Sequence, residues 1–108
     1  MEKSTEEKIT ELQMLEQTAQ NILMQKQTIQ SQVLEIENAL GELQKTKQQP
    51  YKIIGTVMIA SNKEELEKDL NEKKETFTLR IKKLEKQEEQ IKHNSEELQK
   101  ELLKKIKK

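Results

Sequence analysis

Cysteine is absent from this chain, so it has neither a disulfide framework nor a thiolate metal site. Tryptophan is absent as well. Tyr51 and Phe77 are the only aromatic residues among 108, too few for the core of a compact globule of that size. Glycine occurs only as Gly41 and Gly55, which excludes a glycine-rich phosphate loop. No long apolar run or signal-peptide pattern occurs, so the expected setting is soluble and cytoplasmic. The formal net charge is zero, and no overall pull toward nucleic acid or a membrane is expected. His93 is the one histidine; with no second histidine or cysteine to help it hold a metal, it reads as a plain surface residue. These absences leave no support for catalysis, a metal or a cofactor.

What the chain does have is charge at regular intervals. Charged residues make up 37% and hydrophobic ones 31%, and Glu, Lys, Leu and Ile recur at helical spacing, which indicates coiled coil rather than globule. Disorder is the competing reading of so polar a composition, but disordered segments lack sustained periodicity.

The first arm opens on Ser4-Thr5-Glu6-Glu7, a capping box in which serine covers an orphan amide and Glu7 reaches back. A three-four spacing then runs Leu12, Leu15, Ala19, Ile22, Lys26, Ile29, Val33, Ile36, Leu40, Leu43, with Lys26 the one polar residue on the seam. Such a repeat predicts a left-handed coiled-coil helix. It stops near Lys47, because Pro50 biases Gln49 away from helical angles. The second arm begins at Ser61-Asn62-Lys63-Glu64-Glu65, capped by the serine or the asparagine. Leu70, Phe77, Leu84, Ile91 and Leu98 come next at sevens, beside a poorer seam of Lys74, Ile81, Glu88, Ser95 and Leu102. Folding the arms antiparallel sets these seams face to face in either of two registers one heptad apart, and in both Lys26 lies one layer from Glu88. Either the two charges pair and specify the register, or both reach out to solvent.

Between the arms lies an apolar island. Tyr51 to Ile54 and Val57 to Ala60 are β-branched-rich runs separated by Gly55-Thr56, and glycine first in a two-residue loop signals a type II′ hairpin. Plain alternation puts Tyr51, Ile53, Val57 and Ile59 in one class and Ile54, Met58 and Ala60 in the other, so both faces are largely apolar. A lone hairpin is marginal in water and its edges are open to further pairing. Hairpins from several chains are therefore expected to combine into a shared sheet or barrel. A continuous helix through the island is the alternative, opposed by Pro50, Gly55 and the β-branched residues.

The fold expected is mainly α: a long antiparallel two-helix coiled coil joined by a short hairpin that oligomerises into a β-barrel body. Residues 1–108 form a single domain, with a helix over about 5–47, the hairpin over about 51–60 and a helix over about 62–107.

The island and the second arm carry a specific likeness. Pro50-Tyr51-Lys52-Ile53-Ile54-Gly55, Thr56-Val57-Met58-Ile59, Lys63-Glu64-Glu65-Leu66, and the run from Arg80-Ile81-Lys82-Lys83-Leu84 to Glu85-Lys86-Gln87-Glu88-Glu89 resemble the β-type subunit of the prefoldin family. The likeness covers essentially the whole chain. Room for one hairpin, where α-type subunits carry two, points to the β type; low complexity and the lack of cysteine look archaeal. Membership implies a heterohexamer, commonly two α and four β subunits, with hairpins in a double-barrel body and coiled coils hanging from it. It also implies ATP-independent capture of unfolded protein and its transfer to a group II chaperonin.

That function needs apolar surface at the free ends. Ile9, Leu12, Met14 and Leu15 of the first arm, with Leu98, Leu102, Leu103 and Ile106 of the second, are the candidate client-binding residues. The bland reading is that Ile9 and Ile106 only widen the seam. Assembly falls to the hairpin residues Tyr51, Ile53, Ile54, Gly55, Val57, Met58 and Ile59. Lys104, Lys105, Lys107 and Lys108 have three readings: helix-end electrostatics, docking on an acidic chaperonin surface, or nucleic-acid contact, the last disfavoured by the lack of interleaved aromatics. The runner-up function is a coiled-coil adaptor that buries its seam against one defined partner helix.

Overall fold

A computed structural model describes residues 4–106. In chain order the elements are helix α1 (Thr5–Lys45), strands β1 (Tyr51–Ile54) and β2 (Val57–Ala60), and helix α2 (Lys63–Ile106). Two helices thus flank a two-stranded antiparallel hairpin, as the heptads and the island predict.

Each helix starts on a side-chain cap. The Ser4 hydroxyl accepts the Glu7 amide at 3.1 Å, and the Asn62 carboxamide oxygen accepts the Glu65 amide at 2.7 Å. Asn62, not Ser61, is therefore the cap of α2. Glu6 and Glu7 in one first turn, and Glu64 and Glu65 in the other, complement the positive ends of the helix dipoles. At the end of α1 both the amide and the hydroxyl of Thr46 turn back to the Glu42 carbonyl, at 3.1 and 2.9 Å. Pro50 then holds the chain out of helical geometry.

The chain divides into two compact units, one joining the residues up to Gln27 with those from Lys82 onward, the other being Thr28–Ile81. In the first, Ile22, Leu84 and Leu102 are buried, with Leu12, Leu15, Ala19, Ile91 and Leu98 half-buried beside them. Lys8 meets Glu101 and Lys26 meets Glu88, so the number rises along α1 as it falls along α2, which makes the pair antiparallel. In the second unit Ile29, Ile36 and Leu43 are buried against half-buried Leu70, Phe77 and Ile81. There Glu37 of α1 reaches Lys74 of α2 at 3.4 Å. Every buried residue lies on a heptad seam, the expected result when a narrow apolar stripe drives the helices together. Among the described residues, no helix is long and apolar enough to cross a membrane.

The hairpin pairs Tyr51 with Ala60, Lys52 with Ile59, Ile53 with Met58 and Ile54 with Val57. Gly55 sits at φ +62°, and Thr56 keeps a negative φ, which together select the type II′ turn over type I′. This register corrects the assignment of faces made from plain alternation. Directly opposed residues share a face, so Tyr51, Ile53, Met58 and Ala60 form one face and Lys52, Ile54, Val57 and Ile59 the other. The two-residue loop places Ile54 opposite Val57, three positions on, and so inverts the parity of the second strand relative to the first.

Candidate interaction surfaces

The hairpin is where apolar side chains are most exposed. All eight strand residues lie open, from Ile59 at 47% to Ile53 at 69% of full exposure among the large apolar ones. A sheet this small, apolar on both faces, gains little from its own packing. A few exposed polar contacts tie its base and one strand to the helices. Lys52 reaches Asp69 of α2 at 3.6 Å, and the Gln49 carboxamide donates to the carbonyls of Pro50 (3.2 Å) and Ser61. Lys63 donates to the Gln44 carbonyl at 3.5 Å, and the Ser61 amide to the Pro50 carbonyl at 3.1 Å. An exposed apolar patch of this kind is unusual on a monomer and usually marks an interaction site.

The second surface lies in the unit that joins the start of α1 to the end of α2, where Lys8 meets Glu101 at 3.1 Å. Of the residues expected to hold clients, Ile9, Met14 and Leu103 are exposed, at 44%, 66% and 55%. Leu12, Leu15 and Leu98 are half-buried and Leu102 is buried, so these four face the partner helix. Shallow recesses of about 310 and 420 Å³ lie on either side of Met14, one lined by Thr10, Gln13, Gln17 and Thr18, the other by Ser4, Glu6, Glu7, Thr10 and Glu11. The Ile106 side chain, Lys107 and Lys108 lie outside the described residues, whereas Lys104 and Lys105 are exposed in the last turn of α2. His93 is exposed and 3.2 Å from Glu97, one turn further along α2.

The polar break in the seam is an ion pair. The Lys26 ammonium donates to Glu88 Oε1 at 2.7 Å with both side chains largely covered, which settles the choice between pairing and reaching for solvent. The hydrogen bond to Glu88 is the main influence that holds Lys26 above the usual lysine range; nearby carboxylates of Glu88 and Glu85 add to it, and desolvation opposes them. Sequence reasoning missed a second seam cation. Lys8 is buried, and it falls one heptad before Leu15; extending the repeat past its last apolar member would have found it. It also missed a groove of about 840 Å³ in the unit Thr28–Ile81, where β1 stands beside the two helices. Nothing in the residue pattern marks that groove, because it depends on where β1 stands against the helices.

These features can be compared with known proteins. A family model described as "Prefoldin subunit" matches residues 6–108. The chain belongs to the prefoldin family. Prefoldin subunit beta of Archaeoglobus fulgidus is 36% identical over 96 residues, spanning 87% of this chain and 83% of that protein. The same subunit of Methanococcoides burtonii is also 36% identical over 96 residues, covering 87% and 82%. That of Caldivirga maquilingensis is 33% identical over 90 residues, covering 82% and 74%. The fold agrees: a crystal structure of the prefoldin beta subunit from Thermococcus strain KS-1 superposes with a TM-score of 0.90 at 26% identity, over 96% of this chain and 93% of that one. The likeness to the β type read from the hairpin motif is thus borne out by sequence and by fold. Prefoldin is a chaperone family.

Proposed function

We propose that this chain is an ATP-independent holdase subunit. It binds unfolded or nascent proteins at the free end of its helix pair, keeps them from aggregating, and passes them to a group II chaperonin in the cytoplasm. Residues 1–108 act as one domain, and the hairpin joins the chain to an α-type partner in a hexamer of two α and four β subunits.

One observation carries this reading: large apolar side chains are exposed on the hairpin and at Ile9, Met14 and Leu103, with Leu23, Met24, Leu34 and Leu79 also exposed along the helices. On the hairpin this exposure covers both faces of a two-stranded sheet that is tied to α2 through Lys52 and Asp69, as suits an assembly surface. At Ile9, Met14 and Leu103 it sits on helix ends, where main-chain hydrogen bonds fray most easily and a methionine adapts to varied partners. An adaptor bound to one defined helix would need exposed apolar residues at i, i+3, i+4 and i+7. Ile9, Met14, Leu23, Met24 and Leu34 on α1, and Leu79 and Leu103 on α2, do not make that ladder.

The test is suppression of light scattering by a urea-unfolded model protein diluted into the purified complex. Replacing Leu103 and Ile106 together by serine is expected to weaken suppression several-fold while the native mass of the complex stays unchanged. Loss of the complex in that variant would assign the pair to structure. Lys104, Lys105, Lys107 and Lys108 are read as a docking patch for an acidic chaperonin surface. Their replacement by glutamine should slow handover without changing capture.

A further inference from the structure

Methionine is the only sulfur-bearing residue of the chain, which has four methionines and no cysteine. Oxidants attack an exposed thioether, and the sulfoxide that results is polar where the parent side chain was apolar. Met14, Met24 and Met58 are exposed to nearly the same degree, at 66%, 65% and 64%. Accessibility alone does not separate them; their surroundings do. Met58 lies on a hairpin face that the proposed assembly covers. Met24 falls two residues past the seam residue Ile22, on the side of α1 turned away from the seam and apart from the residues expected to hold clients.

Met14 belongs to a sparse apolar surface. Of the residues expected to hold clients, Ile9, Met14 and Leu103 are the exposed ones among the described residues, and of these three only the methionine is open to oxidation. The neighbouring Leu12 and Leu15 carry the packing onto the partner helix, so a change at the Met14 sulfur leaves that packing intact. The unit that holds Met14 contains no aromatic residue, so no sulfur–ring contact within it covers the thioether. Recesses of about 310 and 420 Å³ flank the side chain and open it to solvent on either side. In the smaller recess the Thr10 and Thr18 hydroxyls are committed to the Glu6 and Met14 carbonyls, at 3.0 and 2.9 Å. The carboxamides of Gln13 and Gln17 remain there as donors for a sulfoxide oxygen.

We propose that Met14 is a reversible oxidation site, and that its sulfoxide is the weakly binding form of the client-holding end. This rests on the reading that Ile9, Met14 and Leu103 hold clients. The oxidant is a peroxide. The Met14 Sδ lone pair attacks one peroxide oxygen, and an S–O bond forms as the O–O bond breaks. The departing hydroxide takes the proton of the transferred oxygen and leaves as water. Sulfur gives up two electrons and the peroxide is reduced by two. The polar sulfoxide then draws water and the two glutamine carboxamides onto the surface where an apolar client segment would sit.

The test uses the whole complex, purified from the protein's own cells with each variant replacing the parent gene and treated with hydrogen peroxide. Peptide mass mapping reads the sulfoxide at each methionine, and suppression of light scattering by a urea-unfolded model protein reads capture. Treated parent should carry the Met14 sulfoxide and capture several-fold less, with helical circular dichroism and native mass unchanged. Methionine sulfoxide reductases, one for each epimer, should restore it. Met14→Leu should capture like untreated parent and ignore peroxide. Met14→Gln should capture weakly without treatment, and Met24→Leu should respond to peroxide as the parent does. Full capture by parent that is oxidised at Met14, or a Met14 that stays unoxidised, overturns the inference. So does a Met14→Leu complex that loses as much capture to peroxide as the parent. Untreated parent that fails to suppress scattering instead sinks the holdase reading itself, and the inference with it.

Discussion

Helix α1 buries Ile22, Ile29, Ile36 and Leu43 at successive sevens, whereas α2 interrupts its seam with Lys74, Glu88 and Ser95 and buries only Leu84 and Leu102 among its described residues. The contrast extends to the outside. Between Glu16 and Glu35, α1 carries one charged residue, Lys26, and that one is turned into the seam. The same length of α2 from Lys82 is crowded with lysine and glutamate. Helix α1 thus contributes the packing, and α2 contributes charge, register and solubility. A two-helix pair needs one good seam, not two, provided the polar positions of the poorer one find partners.

Mutations sharpen this contrast in order of expected size. Ile29→Ala removes a fully packed side chain and should cost about 2–5 kcal/mol in chemical unfolding at fixed protein concentration. Ile91→Ala, at a half-buried position of α2, should cost clearly less. Equal costs would show that the two seams share the packing evenly. Next comes Asn62→Ala, which strips the cap from the helix with the weaker seam and should cost about 1 kcal/mol. Ser4→Ala should have a smaller effect, read as a smaller shift in thermal midpoint, because α1 is held by its seam.

The smallest effect is expected at Lys26–Glu88, where coupling is measured by a double-mutant cycle and its pH dependence by unfolding at alkaline pH. Lys26 has a higher pKa folded than unfolded, so its contribution is complete below about 10.4, the ordinary lysine value, and fades as pH rises through the folded value. Lys26→Gln should flatten that alkaline decline. Replacing both residues by leucine should leave stability equal or higher while loosening the choice of register. A double variant that keeps a single register would remove the specifying role.

Much of this was legible in the chain itself. The seam residues from Leu12 to Leu43 and from Leu70 to Leu102 announce themselves by period, because helix packing repeats at a spacing that sequence shows directly. The hairpin was legible through Pro50 and Gly55, since each imposes a backbone constraint. The faces of β2 were misread because strand alternation holds within a strand, while parity across a turn depends on the number of loop residues. Lys8 went unnoticed because a lysine does not look like a seam residue, although its heptad position says otherwise. The Lys52–Asp69 contact and the groove beside β1 were beyond reach, because both depend on the orientation of the hairpin against the helices.

The ion pairs and hydrogen bonds between the helices also imply an order of folding. Lys63 and Gln44 are 19 residues apart along the chain, Lys26 and Glu88 are 62 apart, and Lys8 with Glu101 close the longest loop of all. Closing a loop costs about 0.6 kcal/mol more for each doubling of its length, so the contacts nearest the turn form most cheaply. Each one that forms shortens the loop left for the next. The chain can therefore zip from the hairpin outward, so that a protein rich in long-range contacts folds through a series of short-range ones. Opening runs in the opposite sense, and Leu12, Leu15, Leu98 and Leu102 are the first apolar residues to be uncovered.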